Sequence, residues 1–150
     1  MIIEENYVSF ETAKLLKEKG FDWDCKSKRF YPEPDYDQES SNGVYAPTLQ
    51  TAMKWLREVH NQIIVPGIRV EDPISGIINC YIVGIWYIPK NNGGAFCYTS
   101  PTPYNGYSSF EEACEAAIKY CLENLIEYKI AYDLRTRNWK LRSGIPREYT

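Results

Sequence analysis

Six side chains in this sequence are thiols or imidazole, the groups of a Cys–His nucleophile pair or a zinc site: Cys25, Cys80, Cys97, Cys114, Cys121 and the single histidine, His60. A Cys–His pair would need the imidazole beside an exposed thiol of lowered pKa, and no local nucleophile signature accompanies either residue type. A zinc site would need four ligands in paired spacing, whereas the five cysteines are odd in number and no two stand in C-x-x-C spacing. Glu33, Asp35, Asp37 and Glu39 alternate with Pro34, Tyr36 and Gln38, which invites a calcium loop. Counted from Asp35, the helix–loop–helix calcium pattern requires Gly at its sixth position and Glu at its twelfth; here they are Ser40 and Ala46. The Asn-Asn-Gly-Gly segment at 91–94 is too short to cradle a phosphate and leads into a strand pattern rather than a helix. No serine lies in a nucleophile elbow. The expectation is a protein without catalytic residues, metal or cofactor.

What remains is recognition chemistry. Thirteen Tyr and four Trp in 150 residues raise the prospect of a binding surface, because such side chains join an apolar body to a polar tip. The charge is unevenly spread. Residues 1–128 carry 11 basic and 18 acidic side chains, net −7, while 129–150 carry 6 and 2, net +4. An acidic body with a basic tail is not the footprint of a dedicated nucleic-acid binder. Within the tail, Arg135, Arg137, Lys140 and Arg142 surround Trp139 and form a candidate anion-binding cluster.

The elements that would position these groups are legible from periodicity and end signals. Ser9 caps a helix over 9–19, with Phe10, Ala13 and Leu16 on its buried stripe and Gly20 ending it. Segments 28–31 and 43–45 are placed to pair as a hairpin. Pro47 suits the first turn of a helix over 47–60, whose apolar stripe is Leu49, Ala52, Met53, Leu56 and Val59, with Trp55 at its border. His60 then falls at the helix C-terminus, where it can meet the last carbonyls and the dipole. Asn61 can close that helix in a left-handed conformation before the β-branched run Ile63, Ile64, Val65.

Three strands follow over 63–99. Pro66 marks the first as an edge or bulged strand, and Asp72-Pro73 with Ser75-Gly76 makes the turn after it. The second, 77–88, is apolar on both faces and therefore central. Its Tyr81, Val83, Ile85 and Tyr87 point one way and Cys80, Ile82 and Trp86 the other. Asn92-Gly93 is a hairpin turn into the third strand, 94–99. Ser109 and Glu112 form a capping box that starts a helix over 109–127, whose stripe includes Cys114 and Cys121 as small core residues. Beyond Glu127, Tyr128, Ile130, Tyr132 and Leu134 alternate like a strand, although Tyr128 also continues the helical stripe. The fold class is α+β, a mostly antiparallel sheet with helices packed on it, in a single domain.

Two resemblances bear on these blocks. The order helix, three strands, helix over 47–127, including PTLQTAMKWLREVHN, resembles the double-stranded-RNA-binding domain. That family holds phosphates with lysines at the start of its second helix and with a His between its first two strands. Here the corresponding helix start carries Glu111, Glu112 and Glu115, and the loop EDPISG adds Glu71 and Asp72. Like charge at those points opposes binding that depends on phosphate neutralisation. The blocks NYVSFETAKLLKEKGF, YAPTLQTAMKWLREVHN and YSSFEEACEAAIKYCLENLI resemble a family of small phage and prophage proteins of Bacteroides-like bacteria. That resemblance assigns no chemistry; it implies a mobile-element protein acting inside a bacterial cell.

MIIEENY at the N-terminus is no signal peptide, and no apolar run approaches the ~20 residues needed to cross a bilayer. The expected setting is the bacterial cytoplasm with reduced thiols. The leading expectation is a non-enzymatic phage or prophage accessory protein that binds another protein or itself through the uncovered side of the sheet. Tyr81, Trp86 and Tyr87 are the candidate anchors. A small-ligand or nucleotide binder using an aromatic cleft and the basic tail is the alternative, and RNA binding the third.

Overall fold

The computed structural model describes residues 6–33, 43–71, 74–89, 93–126, 128–133 and 138–143, the last two stretches by their backbone alone. Residues 1–5, most of the acidic connection (including Asp35, Asp37 and Glu39), the Asp72-Pro73 and Asn91-Asn92 turn positions, and Arg135 and Arg137 lie outside them.

Helix α1 (Phe10–Glu18) has the ends its sequence predicts. The Ser9 side chain accepts the Thr12 N–H, and Phe21 N–H reaches back to Leu16 C=O at 2.9 Å. Gly20, at φ +96°, supplies the left-handed residue that this closure requires. Strands β1 (Lys28–Pro32) and β2 (Gly43–Pro47) pair antiparallel as expected. The N-terminal arm is tied to them by Val8 N–H to Pro47 C=O and Leu49 N–H to Asn6 C=O.

Helix α2 (Leu49–His60) starts two residues later than the expected position 47. Thr48 is the N-cap and accepts the Thr51 N–H at 3.2 Å, while Pro47 ends β2. A hydroxyl that satisfies an otherwise orphaned donor decides the start over a proline that merely tolerates it. Asn61 closes the helix at φ 54°, ψ 39°. The buried stripe is rotated from the expected one: Trp55 is interior and Val59 exposed. The cause lies outside the helix, where Phe21, folded back by the α1 cap, meets the Trp55 ring edge-on at 5.4 Å.

Strands β3 (Ile63–Arg69), β4 (Cys80–Tyr87) and β5 (Cys97–Thr99) form an antiparallel sheet in the order β3-β4-β5. β4 is central, as its two apolar faces predict. The register runs without a bulge from Ile63 opposite Trp86 to Arg69 opposite Cys80, so Pro66 marks an edge strand. Val83 N–H and C=O are taken on the β5 side by the Thr102 and Ser100 hydroxyls, at 3.0 and 2.7 Å. Pro66 opposite Val83 is therefore a non-hydrogen-bonded pair of the β3–β4 ladder, and its missing N–H costs no ladder bond.

Helix α3 (Phe110–Tyr120) begins where Ser109 accepts the Glu112 N–H at 3.0 Å. The Glu112 carboxylate turns to Ser108 rather than to the cap residue, accepting its N–H at 3.2 Å and its hydroxyl. The expected helix to 127 ends instead in a π-helical turn, Cys121–Leu125, with Ile126 N–H bonded to Cys121 C=O. Asn124, a polar residue within that turn, donates its side-chain amide to Tyr120 C=O at 3.2 Å and so occupies a carbonyl there.

The chain then forms an antiparallel hairpin, β6 (Tyr128–Asp133) with β7 (Asn138–Ser143), as a sheet of its own. The alternation from Tyr128 thus marks a strand. The architecture is α+β. Helices α2 and α3 touch each other and cover one side of β3, α3 reaches on to β4, and α1 lies against β2 and α3. Between these layers Ala113, Cys114, Ala117, Ile118, Cys121 and Leu122 are fully buried.

Candidate functional site

Antiparallel register decides which residues share a face. In β4, Val83 and Ile85 are buried toward the helices, and Tyr81 packs against the same core. Alternation puts Tyr87 in that set and Trp86 in the other. The three candidate anchors are therefore divided. Tyr81 is committed to structure, because its side chain packs against the core; its backbone N–H and C=O pair with Tyr107 at 2.9 and 2.8 Å. Trp86 alone lies on the side away from the helices.

That open side is built from Cys80, Ile82, Gly84 and Trp86 of β4, their β3 partners, and Tyr98 of β5. Its Cys80 end is roofed by the turn before α3. Arg69 Nη1 donates to Tyr104 C=O at 2.8 Å, and Gly106 sits where a Cβ would strike the Cys80 sulfur. Its other end has no roof among the described residues. Trp86 opposes Tyr98 in the register, with ring centroids 5.0 Å apart. The Tyr98 ring lies directly over Gly84, where any Cβ would collide with it. Trp86 keeps 43 % of its surface exposed, Tyr98 56 %, and Val65, across from Gly84, 48 %. Sequence reading missed Tyr98 and Val65. Gly84 was the available signal, since a glycine inside a central strand marks close approach of another group.

The aromatic pair also holds the short β5 in place. A double-mutant cycle of Trp86→Ala with Tyr98→Ala should give a coupling of about 0.5–1.5 kcal/mol, the size of aromatic pair terms. Strict additivity in urea unfolding would count against the contact.

The hairpin β1–β2 has a parallel arrangement at smaller scale. Phe30 and Tyr45, cross-strand partners with centroids 5.0 Å apart, lie on its outer face, with Phe30 over Gly43 and the Lys28 ammonium 4.7 Å from the Tyr45 ring. Two surface depressions flank that hairpin. One, of about 210 Å³, includes Phe10, Lys14 and Glu33; the other, of about 340 Å³, includes Trp23, Lys26, Thr48 and Lys54. Neither includes Tyr81, Trp86 or Tyr87.

Of the basic cluster, Lys140 stands opposite Ala131 and Arg142 opposite Lys129 in the β6–β7 register. The acids at the start of α3 have structural partners: Glu115 accepts the Ser9 N–H at 2.8 Å, and Asn6 donates to Glu111 at 3.5 Å. Carboxylates at the N-terminus of α1 are favourable there.

The reactive side chains are placed for packing. Burial pushes the Cys114 thiol up to about 11 and the Cys121 thiol up to about 12, with Glu111 a smaller contribution at Cys114. Both therefore stay protonated and poorly nucleophilic near neutrality. His60 ends α2 as expected, but burial rather than the helix dipole dominates it. Its ring meets Trp55 edge-on at 4.6 Å, its Nε2 has no hydrogen-bond partner, and desolvation lowers its pKa below the ordinary 6.5. The folded state thus holds a neutral imidazole, and below 6.5 the unfolded chain binds the extra proton. Stability should fall as pH drops through that value and level off below the folded pKa. The urea midpoint should decrease as pH falls through 6.5, and less so in His60→Phe.

Among the described residues no group of three or more His, Cys, Asp or Glu is placed to hold a metal ion. Among the same residues, no helix is long and apolar enough to cross a membrane. No family model, curated protein or solved structure matches this chain.

Proposed function

We propose that this is a non-enzymatic accessory protein of a phage or prophage, acting in the bacterial cytoplasm by binding protein through the open face of β3–β4–β5. One observation carries the reading. The sheet is sealed on its helix side by Val83 and Ile85, yet at its Trp86 end it leaves a tryptophan, a tyrosine and a valine exposed together. Aromatic side chains held rigidly by a cross-strand neighbour lose little entropy on contact, and Trp and Tyr dominate binding hot spots. The single cation registered on this side, Arg69, is occupied by a backbone carbonyl. Register places that guanidinium opposite Cys80, at the roofed end and away from Trp86.

A photo-cross-linking side chain at Val65 tests the proposal against the same group at Glu58, exposed on α2. Expressed in the bacterial cell, the Val65 probe should give a discrete protein adduct that Trp86→Ala removes. No adduct, or the same adducts from both positions, would contradict it.

A further inference from the structure

The open face leaves Trp86, Tyr98 and Val65 exposed among the described residues, and the β6–β7 hairpin offers a second apolar element. The β6–β7 register sorts the hairpin residues into two sets. Ile130 opposite Leu141 and Tyr132 opposite Trp139 share one set of positions, and Lys129 opposite Arg142 belongs to the other. A two-stranded sheet is marginal in water and needs a further layer against its apolar side. This hairpin forms a sheet by itself.

Resting on the reading of the open face as a protein-binding surface, we infer that its occupant is the β6–β7 hairpin of a second copy of this chain. The chain's own hairpin is excluded by reach. Ile126 is buried in the core on the helix side, and β6 starts two residues later at Tyr128. Two residues extend about 7 Å. A sheet stacked on the open side lies about 10 Å beyond β3–β4–β5, with the sheet itself between it and Ile126. A hairpin lying flat on that face must come from another molecule. Exchange about a two-fold axis covers both open faces and both hairpins at once, and the contact closes. Opposite net charge steers the encounter of the two copies, the segment from 129 onward being net +4 and the rest of the chain net −7.

The test uses the full chain. Isotopically heavy and light protein, the light carrying a photo-cross-linking side chain at Leu141, are mixed at dilution, concentrated and irradiated. Light scattering should report a dimer, and mass spectrometry should find light β7 peptides joined to heavy peptides of β4 or β5. Trp86→Ala and Leu141→Asp, each checked for folding by circular dichroism, should weaken dimerisation about thirtyfold or more, as hot-spot losses do. A monomer at every concentration, cross-links confined to one copy, or a dimer indifferent to both variants would overturn the inference. If the protein is a monomer while the Val65 probe still captures a different protein, the binding face stands and only the occupant falls. Loss of both signals removes both.

Discussion

Trp55→Ala should lower the stability of this protein by about 3–5 kcal/mol, the range for deleting a large buried aromatic. Trp55 is 2 % exposed and is among the largest fully buried side chains of the core. It touches Phe21, which the C-cap of α1 folds inward, and His60 at the end of α2. Its removal leaves a cavity where the closing turn of one helix meets the body of another, and neither cap can move to fill it without losing its own hydrogen bonds. Domains of this size are stable by about 5–15 kcal/mol in total, so the variant should lose between about a fifth of its stability and all of it. Val59→Ala, on the exposed side of the same helix, should change stability by less than about 0.5 kcal/mol. A Trp55→Ala protein within about 1 kcal/mol of the parent would mean that this core does not depend on the α1–α2 junction.

The alkaline limb of stability carries the second large effect. Cys114 and Cys121 ionise near 9 when unfolded, but in the folded chain burial pushes them up to about 11 and about 12. Above pH 9 the unfolded state therefore sheds protons that the folded state keeps, and stability falls as pH rises. Two such thiols account for about 4 kcal/mol of loss between about pH 9 and about pH 11. The double variant Cys114→Ala, Cys121→Ala pays a pH-independent packing cost, and its stability should decline less steeply over that interval. Thiol trapping gives an independent readout. In the native state Cys25, Cys80 and Cys97, all partly exposed, should react, while Cys114 and Cys121 should wait for unfolding. Equal labelling of all five would place the two thiols outside a dry core.

The sequence discloses elements best where both ends are chemically marked. Ser9 and Gly20 bracket α1, Asn61 closes α2, and Ser109 opens α3; the structure has all of these. It discloses less where the deciding partner is remote. Pro47 and Thr48 both suit a helix start, and only the Thr48 hydroxyl meeting the Thr51 N–H separates them. Trp55 and Val59 compete for the buried stripe, and the choice rests with Phe21, 34 positions away in sequence. The π-helical turn at Cys121 is invisible to periodicity, because each of its residues suits an α-helix as well.

For the candidate site the same limit applies. β4 is apolar on both faces, so alternation pairs Tyr81 with Tyr87 and separates Trp86, but it cannot say which set the helices cover. Packing by α3 settles that, and it turns Tyr81 and Tyr87 inward. Gly84 and Tyr98 acquire meaning only once the β4–β5 register places Tyr98 opposite Trp86. The basic tail conceals its hairpin because Tyr128 satisfies two periods at once.

Oxidative footprinting across a dilution series tests the covered face most directly. Oxidation of Trp86 and Tyr98 should fall as the protein is concentrated, while that of Tyr45, exposed on β2, stays level. Equal oxidation of Trp86 and Tyr98 at every concentration would contradict a second copy lying on this face.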